Sequence, residues 1–242
     1  MVYRKSMCFL MLAFLFVSPN VFFSKEKSST AVLKSSVVRD GDGVEPSVEE
    51  IYNSLHSAHN NLPSLESFKE ALKGFYRLRD KGVVSKNRIT IIDFSLSANA
   101  KRLWVIDLDS SSVLYHSLVA HGRNTGDEYA KSFSNAAESY KSSLGFYVTG
   151  EVYYGKHGKS LRLDGLEKGI NDNARNRAVV VHGADYVSNS FIHNNKRLGR
   201  SLGCPAIPLE ITDELIETIQ GKSCLFIYYP SESYKQSSDL LS

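Results

Sequence analysis

The sequence predicts a mainly β protein, a mostly antiparallel sandwich or barrel, with an N-terminal helical pair and one late helix. Three observations predict it. Between Arg88 and Tyr229 the apolar residues come in short β-branched or aromatic segments separated by turn residues. The chain holds 13 Tyr and 12 Phe against one Trp, and such aromatics favour strands. Apolar residues at helical spacing are confined to the stretches 48–78 and 211–219.

The elements follow in order. Arg4 and Lys5 precede an unbroken apolar run, Met7 to Val17, which is short for a bilayer span of roughly 20 residues. Residues 1–24 are therefore expected to be a signal peptide. Ser24 is the candidate last residue removed, although Phe22 is poor at third-from-last. If uncleaved, the segment would act as an anchor and hold the chain beside a membrane. Residues 25–46 are polar and rich in Ser and charge, a flexible linker.

Residues 47–85 read as the helical pair. Ser47 can cap a helix carrying Val48, Ile51, Tyr52 and Leu55. After the break Asn60-Asn61-Leu62-Pro63, Ser64 caps a second helix whose Phe68, Ala71, Leu72, Phe75 and Leu78 follow the i, i+3, i+4 rule, and Gly82 stops it. This pair is too short to own a core, so it is expected to pack on the sheet that follows. Residues 86–230 form the β domain, with strands at 89–96, 103–107, 113–119, 145–154, 160–163, 178–182 and 224–229. Ile211, Leu215, Ile216 and Ile219 give the late helix, and 231–242 a C-terminal tail.

Composition narrows the function. With 242 residues there is room for a sizeable core. A net charge of +3 is too small and too scattered for a nucleic-acid partner. Loss of the signal would remove Arg4 and Lys5, leaving a nearly neutral exported chain. Cys8 would go with it, and Cys204 and Cys224 remain. An oxidising compartment favours pairing these two as a disulfide. Yet Cys224 sits in an apolar strand-like run, whereas Cys204 lies between Gly203 and Pro205 beside Arg200 and Ser201. Different surroundings argue for different jobs.

The stretch 178–208 carries the chemistry. Val179-Val180-Val181 delivers His182 and Gly183 to a strand end, and Gly199-Arg200-Ser201-Leu202-Gly203-Cys204-Pro205 is a glycine-bracketed turn. A thiol beside an imidazole is a nucleophile–base pair. The carbonyl of Gly183, or a nearby carboxylate, could hold the far imidazole nitrogen. The glycines would leave the N–H groups of Gly203 and Cys204 uncovered for an oxyanion. The bland alternative stays open at this point: a histidine that ends a strand and a small buried cysteine. A zinc set of His182, Asp185, His193 and Cys204 lacks any customary ligand spacing, so neither metal nor cofactor is expected. Gly199 to Gly203 matches the letters G-x-S-x-G but has no preceding strand, which weakens Ser201 as nucleophile. His121, followed by Gly122 at a strand end, stands out from His56, His59, His116 and His157, which read as surface or hydrogen-bonded histidines.

The combination HGADYVS…GRSLGCPAIP, together with VAHGRNTGDEYAKSFSN and the run from Ser139 to Ala184, resembles the YkuD-like superfamily of murein L,D-transpeptidase catalytic domains. The likeness is to the branch whose cysteine motif reads G-R-S-x-G-C-P, and it spans roughly residues 68–229. It implies the β-rich L,D-transpeptidase fold, a Cys204 nucleophile, and His182 as base oriented by the Gly183 carbonyl. It further implies oxyanion donors at Gly203 and Cys204. The implied partner is the peptidoglycan tetrapeptide stem, whose terminal D-Ala leaves as a thioester forms. A disulfide at Cys204 fits poorly with that role. Lys141 to Gly145, including Ser143 and Gly145, fall where relatives line the donor groove, and His121 joins them as a substrate-site candidate. The motif departs from the widespread S-H-G-C form followed by arginine: Leu202 replaces its histidine, and Pro205-Ala206 follow the cysteine. Arg200 is the candidate to hold a stem carboxylate in its place, with Ser201 beside it. An L,D-carboxypeptidase using water, or a non-catalytic peptidoglycan-binding domain, are the alternatives. The expected location is the periplasm or cell envelope.

Overall fold

The computed structural model describes residues 46–57 and 61–242. The expected signal segment, nearly all of the linker, Cys8 and His59 lie outside the described residues. Among the described residues no helix is long and apolar enough to cross a membrane.

Helix α1 (Val48–Asn53) starts at a capping box, in which Ser47 Oγ accepts the Glu50 N–H and Glu50 accepts the Ser47 N–H. It ends before Leu55, which nevertheless enters the core. Helix α2 (Leu65–Asp80) is capped by Ser64 and buries Phe68, Ala71, Leu72, Phe75 and Leu78. Gly82, at φ +68°, turns the chain so that the Val83 N–H returns to the Leu78 carbonyl at 2.9 Å.

Eight strands follow: β1 (Arg88–Asp93), β2 (Leu103–Asp107), β3 (Ser112–Ser117), β4 (Gly145–Gly155), β5 (Gly158–Gly165), β6 (Val180–Gly183), β7 (Ala206–Ile207) and β8 (Cys224–Tyr228). They form one sheet in the order β3-β2-β1-β8-β4-β5-β6-β7. Of the expected sandwich or barrel, the structure has the barrel-like form, a single sheet that curls on itself. After β3, the Ala120 N–H donates to the Ala206 carbonyl at 2.8 Å, which bridges the two edges. The sheet is mixed, because β1 pairs with β8 and β6 with β7 in parallel. Nothing in a strand's own side-chain pattern distinguishes these pairings. The two-residue β7 is too short for its apolar pattern to announce it.

Two further helices were not expected from the sequence. Helix α3 (Asn189–Asn195) starts at Ser188 and has no buried residue, hence no apolar stripe to read. The late helix, α4 (Thr212–Ile219), buries Leu215, Ile216 and Ile219. The stretch 231–242 is not a loose tail. It contains α5 (Glu232–Ser237), and Tyr234 and Leu240 join the core. The Tyr234 hydroxyl and Ser238 Oγ both donate to the buried carboxylate of Glu167, which also accepts the Phe146 N–H at 2.6 Å. Those donors stand in for water around the carboxylate, while burial pushes it above the usual range.

Helix α2 lies on the sheet where Phe146 of β4 stacks on Phe226 of β8, centroids 4.2 Å apart. Gly74 makes the contact: a methyl group added there would come 2.1 Å from the Phe146 ring. In a free helix, alanine is favoured over glycine by about 1 kcal/mol. In this helix the sign should reverse, with Gly74→Ala destabilising the fold by about 1–3 kcal/mol through overpacking. Denaturant unfolding of the two proteins measures this, and a stabilised variant would refute the packing account.

Candidate active site

The β6–β7 ladder brings the two chemistry-bearing residues together. His182 stands opposite Ala206 in parallel register, and Gly183 opposite Ile207. Cys204 lies in the bend two residues before Ala206, at the end of this ladder. Both side chains line one cleft of about 420 Å³, with Tyr153, His157, Arg177 and Tyr186. Cys204 is half-buried, and His182 is buried.

His182 Nδ1 lies 2.9 Å from the Gly183 carbonyl oxygen. A carbonyl can only accept, so Nδ1 carries the hydrogen and Nε2 keeps its lone pair. Burial lowers the imidazole's proton affinity, and the nearby His157 and Lys156 push the same way. The ring of His157, at the β4–β5 turn, stacks on His182 with centroids 4.4 Å apart. Burial pushes the Cys204 thiol up, while the Val180 N–H and the Arg177 cation act against it. Burial thus works against the charged form of both the thiol and the imidazole. The hydrogen bonds of the sulfur run to the backbone, accepting from the Val180 N–H at 3.5 Å and donating to the Ala178 carbonyl at 3.7 Å.

The turn before Cys204 is held on three sides. Ser201 Oγ donates to the Cys204 carbonyl at 2.6 Å and accepts the Gly203 N–H at 3.0 Å. Ser142 Oγ donates to the Gly203 carbonyl at 3.0 Å, and the Ser201 N–H donates to the His121 carbonyl at 2.9 Å. Gly203 has φ +128°, and a Cβ there would lie 2.9 Å from the Lys141 carbonyl oxygen, so backbone and space both require glycine.

Several expectations change. The Gly203 N–H is engaged by Ser201, so of the two expected oxyanion donors only the Cys204 N–H has no acceptor among the described residues. Ser201 holds the turn and makes no contact with a base. Arg200 reaches the cleft, but its Nη1 is held by Asp127 at 2.7 Å and by the carbonyls of Arg123 and Gly126, so its fork is partly committed. Ser143 and Gly145 do not line the cleft. Ser143 is buried behind it, donating to the Ser134 carbonyl, and Gly145, at φ +97°, would drive a Cβ into Glu167. Cys204 and Cys224 are free thiols. Among the described residues no three His, Cys, Asp or Glu side chains converge as a metal would need.

His121 is also displaced from substrate contact. It is 1% exposed, and its carbonyl accepts the Ser201 N–H of the turn that leads to Cys204. Its Nδ1 accepts from Arg102 Nη2 at 2.8 Å, and its Nε2–H points to the Gly126 carbonyl at 3.2 Å. Arg102 is itself fully buried and also donates to the carbonyls of Leu96 and Val119. Burial and this cation push the His121 imidazole down to about 4. The side chains that sequence reasoning missed are Arg177, Tyr186 and the stacked His157. The first two lie in irregular segments, and the third reads as an ordinary hairpin residue.

Residues 59–228 match the family model described as L,D-transpeptidase catalytic domain. Among solved structures, the chain is similar to the L,D-transpeptidase from Mycobacterium smegmatis at 10% identity, with 59% of each chain covered and a TM-score of 0.36. It is similar to the helical cell shape determining protein Pgp2 from Campylobacter jejuni at 12% identity, covering 71% of this chain and 61% of that one, with a TM-score of 0.42. It is also similar to L,D-transpeptidase 1 of Mycobacterium tuberculosis at 11% identity, with 60% and 63% covered and a TM-score of 0.34. The chain thus spans less than two thirds of the length of each of these structures. No curated protein matches the sequence.

The His121 environment has a pH signature. A histidine held near 4 when folded and near 6.5 when unfolded makes the unfolded chain bind more protons between those values. Stability is therefore complete above about pH 6.5 and falls as pH drops toward 4, by on the order of 3 kcal/mol. His121→Gln keeps an acceptor for Arg102 without the titration, and its stability should fall less over that range. Denaturant midpoints from pH 7 down to about 4 test this, and parallel curves for the two proteins would refute it.

Proposed function

Because the chain belongs to the L,D-transpeptidase catalytic domain family, we propose that it is an exported cysteine acyltransferase acting on peptidoglycan tetrapeptide stems. The observation that carries this reading is the shared cleft of Cys204 and His182, with the imidazole tautomer fixed by the Gly183 carbonyl. In the first half-reaction, Cys204 Sγ attacks the carbonyl that precedes the terminal D-Ala while His182 Nε2 takes the thiol proton. The Cys204 N–H donates to the developing oxyanion. The C–N bond then breaks, the amine of D-Ala leaves with that proton, and a thioester remains. In the second half-reaction an acceptor amine attacks the thioester and gives a proton to His182; the C–N bond forms, the C–S bond breaks, and the sulfur takes that proton back from His182 to restore the thiol.

The cleft suits such a donor. Lys156, His157, Arg177 and Arg200 line it, and no Asp or Glu does among the described residues. A cationic lining favours a peptide that carries carboxylates. Export to the periplasm or cell envelope is proposed from the apolar run Met7 to Val17 and from where this substrate lies.

Intact mass after incubation with a tetrapeptide donor tests the reading. The expected product is an adduct on Cys204 equal to the stem without its D-Ala. Cys204→Ala should form none, and His182→Ala should form it about 10²–10⁴ times more slowly with an unchanged melting curve. Adduct formation by the Cys204→Ala protein would overturn the assignment. Added amine should give a cross-linked product. Free tripeptide as the sole product would favour the carboxypeptidase, and absence of any adduct the non-catalytic binder.

A further inference from the structure

Arg177 stands beside the nucleophile turn, and the reaction described above does not use it. Its four Nη hydrogens are all engaged. Nη1 donates to the Ser134 carbonyl at 2.8 Å and Ser143 Oγ at 2.6 Å, and Nη2 to Ser139 Oγ at 3.3 Å and the Lys141 carbonyl at 2.5 Å. Every one of these acceptors is neutral, and no carboxylate pairs with this guanidinium among the described residues. A half-buried cation with no counter-ion is costly unless an anion forms nearby.

The nearest place for one is the turn itself. A Cβ on Gly203 would lie 3.3 Å from Arg177 Nη2, and Arg177 lines the cleft with Cys204. The residues that follow Arg177 continue around the sulfur, with the Ala178 carbonyl accepting its hydrogen and the Val180 N–H donating to it. We propose that Arg177 is the counter-ion of the Cys204 thiolate, a fixed cation that stabilises the sulfur anion as its proton passes to His182. The inference rests on Cys204 being the nucleophile. Because its Nη hydrogens are committed, Arg177 presents no two-pronged fork to a substrate carboxylate, and it acts through its field. It is a positioning and electrostatic residue, not one that touches substrate. The direction of the titration shifts agrees: Arg177 opposes the upward push of burial on the thiol, and the Cys204 sulfur opposes the downward push of burial on Arg177.

Tyr153 from β4, Lys156 and His157 from the β4–β5 turn, His182 from β6, and Arg200 and Tyr186 also line the cleft around the sulfur. Lys156 is exposed at its hairpin tip, so water and salt screen it and Lys156→Gln serves as a control. The test is the pH dependence of iodoacetamide alkylation in the full chain, read as the mass of the peptide that contains Cys204. Arg177→Gln should raise the apparent thiol pKa by about one unit and slow alkylation at pH 7 about tenfold. Arg177→Lys keeps the charge and loses hydrogen bonds, so its melting temperature should fall while its alkylation profile stays near that of the unmodified protein. Lys156→Gln should shift the profile by much less. An Arg177→Gln protein with a lower melting temperature but an unmoved profile would reduce Arg177 to a brace and overturn the proposal. So would an Arg177→Lys profile displaced by a full unit. Should Arg177→Gln fail to fold, Arg177→Lys decides alone, with retention supporting the proposal and displacement refuting it. Alkylation needs no peptidoglycan, so a chain inert toward the tetrapeptide donor but shifted by Arg177→Gln would refute the substrate reading and leave the counter-ion intact.

Discussion

The parallel pairing of β6 with β7 is the contact on which the site depends. It is only two residues long, His182 on Ala206 and Gly183 on Ile207, and a ladder so short is weak by itself. Its neighbours hold it. The Ala120 N–H takes the Ala206 carbonyl from the other edge of the sheet, and the Ala184 N–H takes the Ile207 carbonyl. Closing the curled sheet at this seam thereby sets the distance between strand end and cysteine turn. A slip of one residue would turn Cys204 to the opposite face.

Behind the seam lies an unusual amount of buried polarity. Arg102, fully buried, is pushed down to about 9 by burial and donates to two backbone carbonyls and to His121. The carbonyl of His121 in turn fixes the Ser201 N–H, and the Arg123 N–H fixes the Ser201 carbonyl. Ser142 bridges the Gly122 N–H and the Gly203 carbonyl. Buried groups of this kind are tolerated only when each has a partner, and a fully partnered network admits one geometry. The glycine turn at Gly203 is held in that geometry, so Cys204 is positioned by polar bonds as well as by packing.

The electrostatics of the cleft favour a resting state without charge separation. Burial raises the thiol and lowers the imidazole, which disfavours charge on either member. The surrounding lining is cationic, and the Val180 N–H donates to the sulfur. Such an arrangement stabilises negative charge once it develops, with little reorganisation at that moment. The stacked His157 disfavours a charge on His182, since two imidazolium rings 4.4 Å apart would repel.

Much of this was legible in the sequence because local rules dominate where they act. The capping serines 47 and 64, the apolar stripe of α2, the strands β4 and β8 and the stop at Gly82 follow from side-chain pattern and cap chemistry alone. The strand-end position of His182 was legible in the same way, whereas its shared cleft with Cys204 was suggested by the resemblance and not by period or caps. Other features depended on partners far along the chain. The parallel pairs and the two-residue β7 leave no periodic trace, and α5 owes its place to a carboxylate 65 or more residues earlier in the sequence. Arg177 and Ser143 meet across 34 residues, and Gly203 loses its expected role to a serine two residues away. Residue types and their spacing determined which atoms were available for chemistry. Only the closed sheet decided which donors were already engaged, because a hydrogen bond can be made once and its partner is chosen in three dimensions.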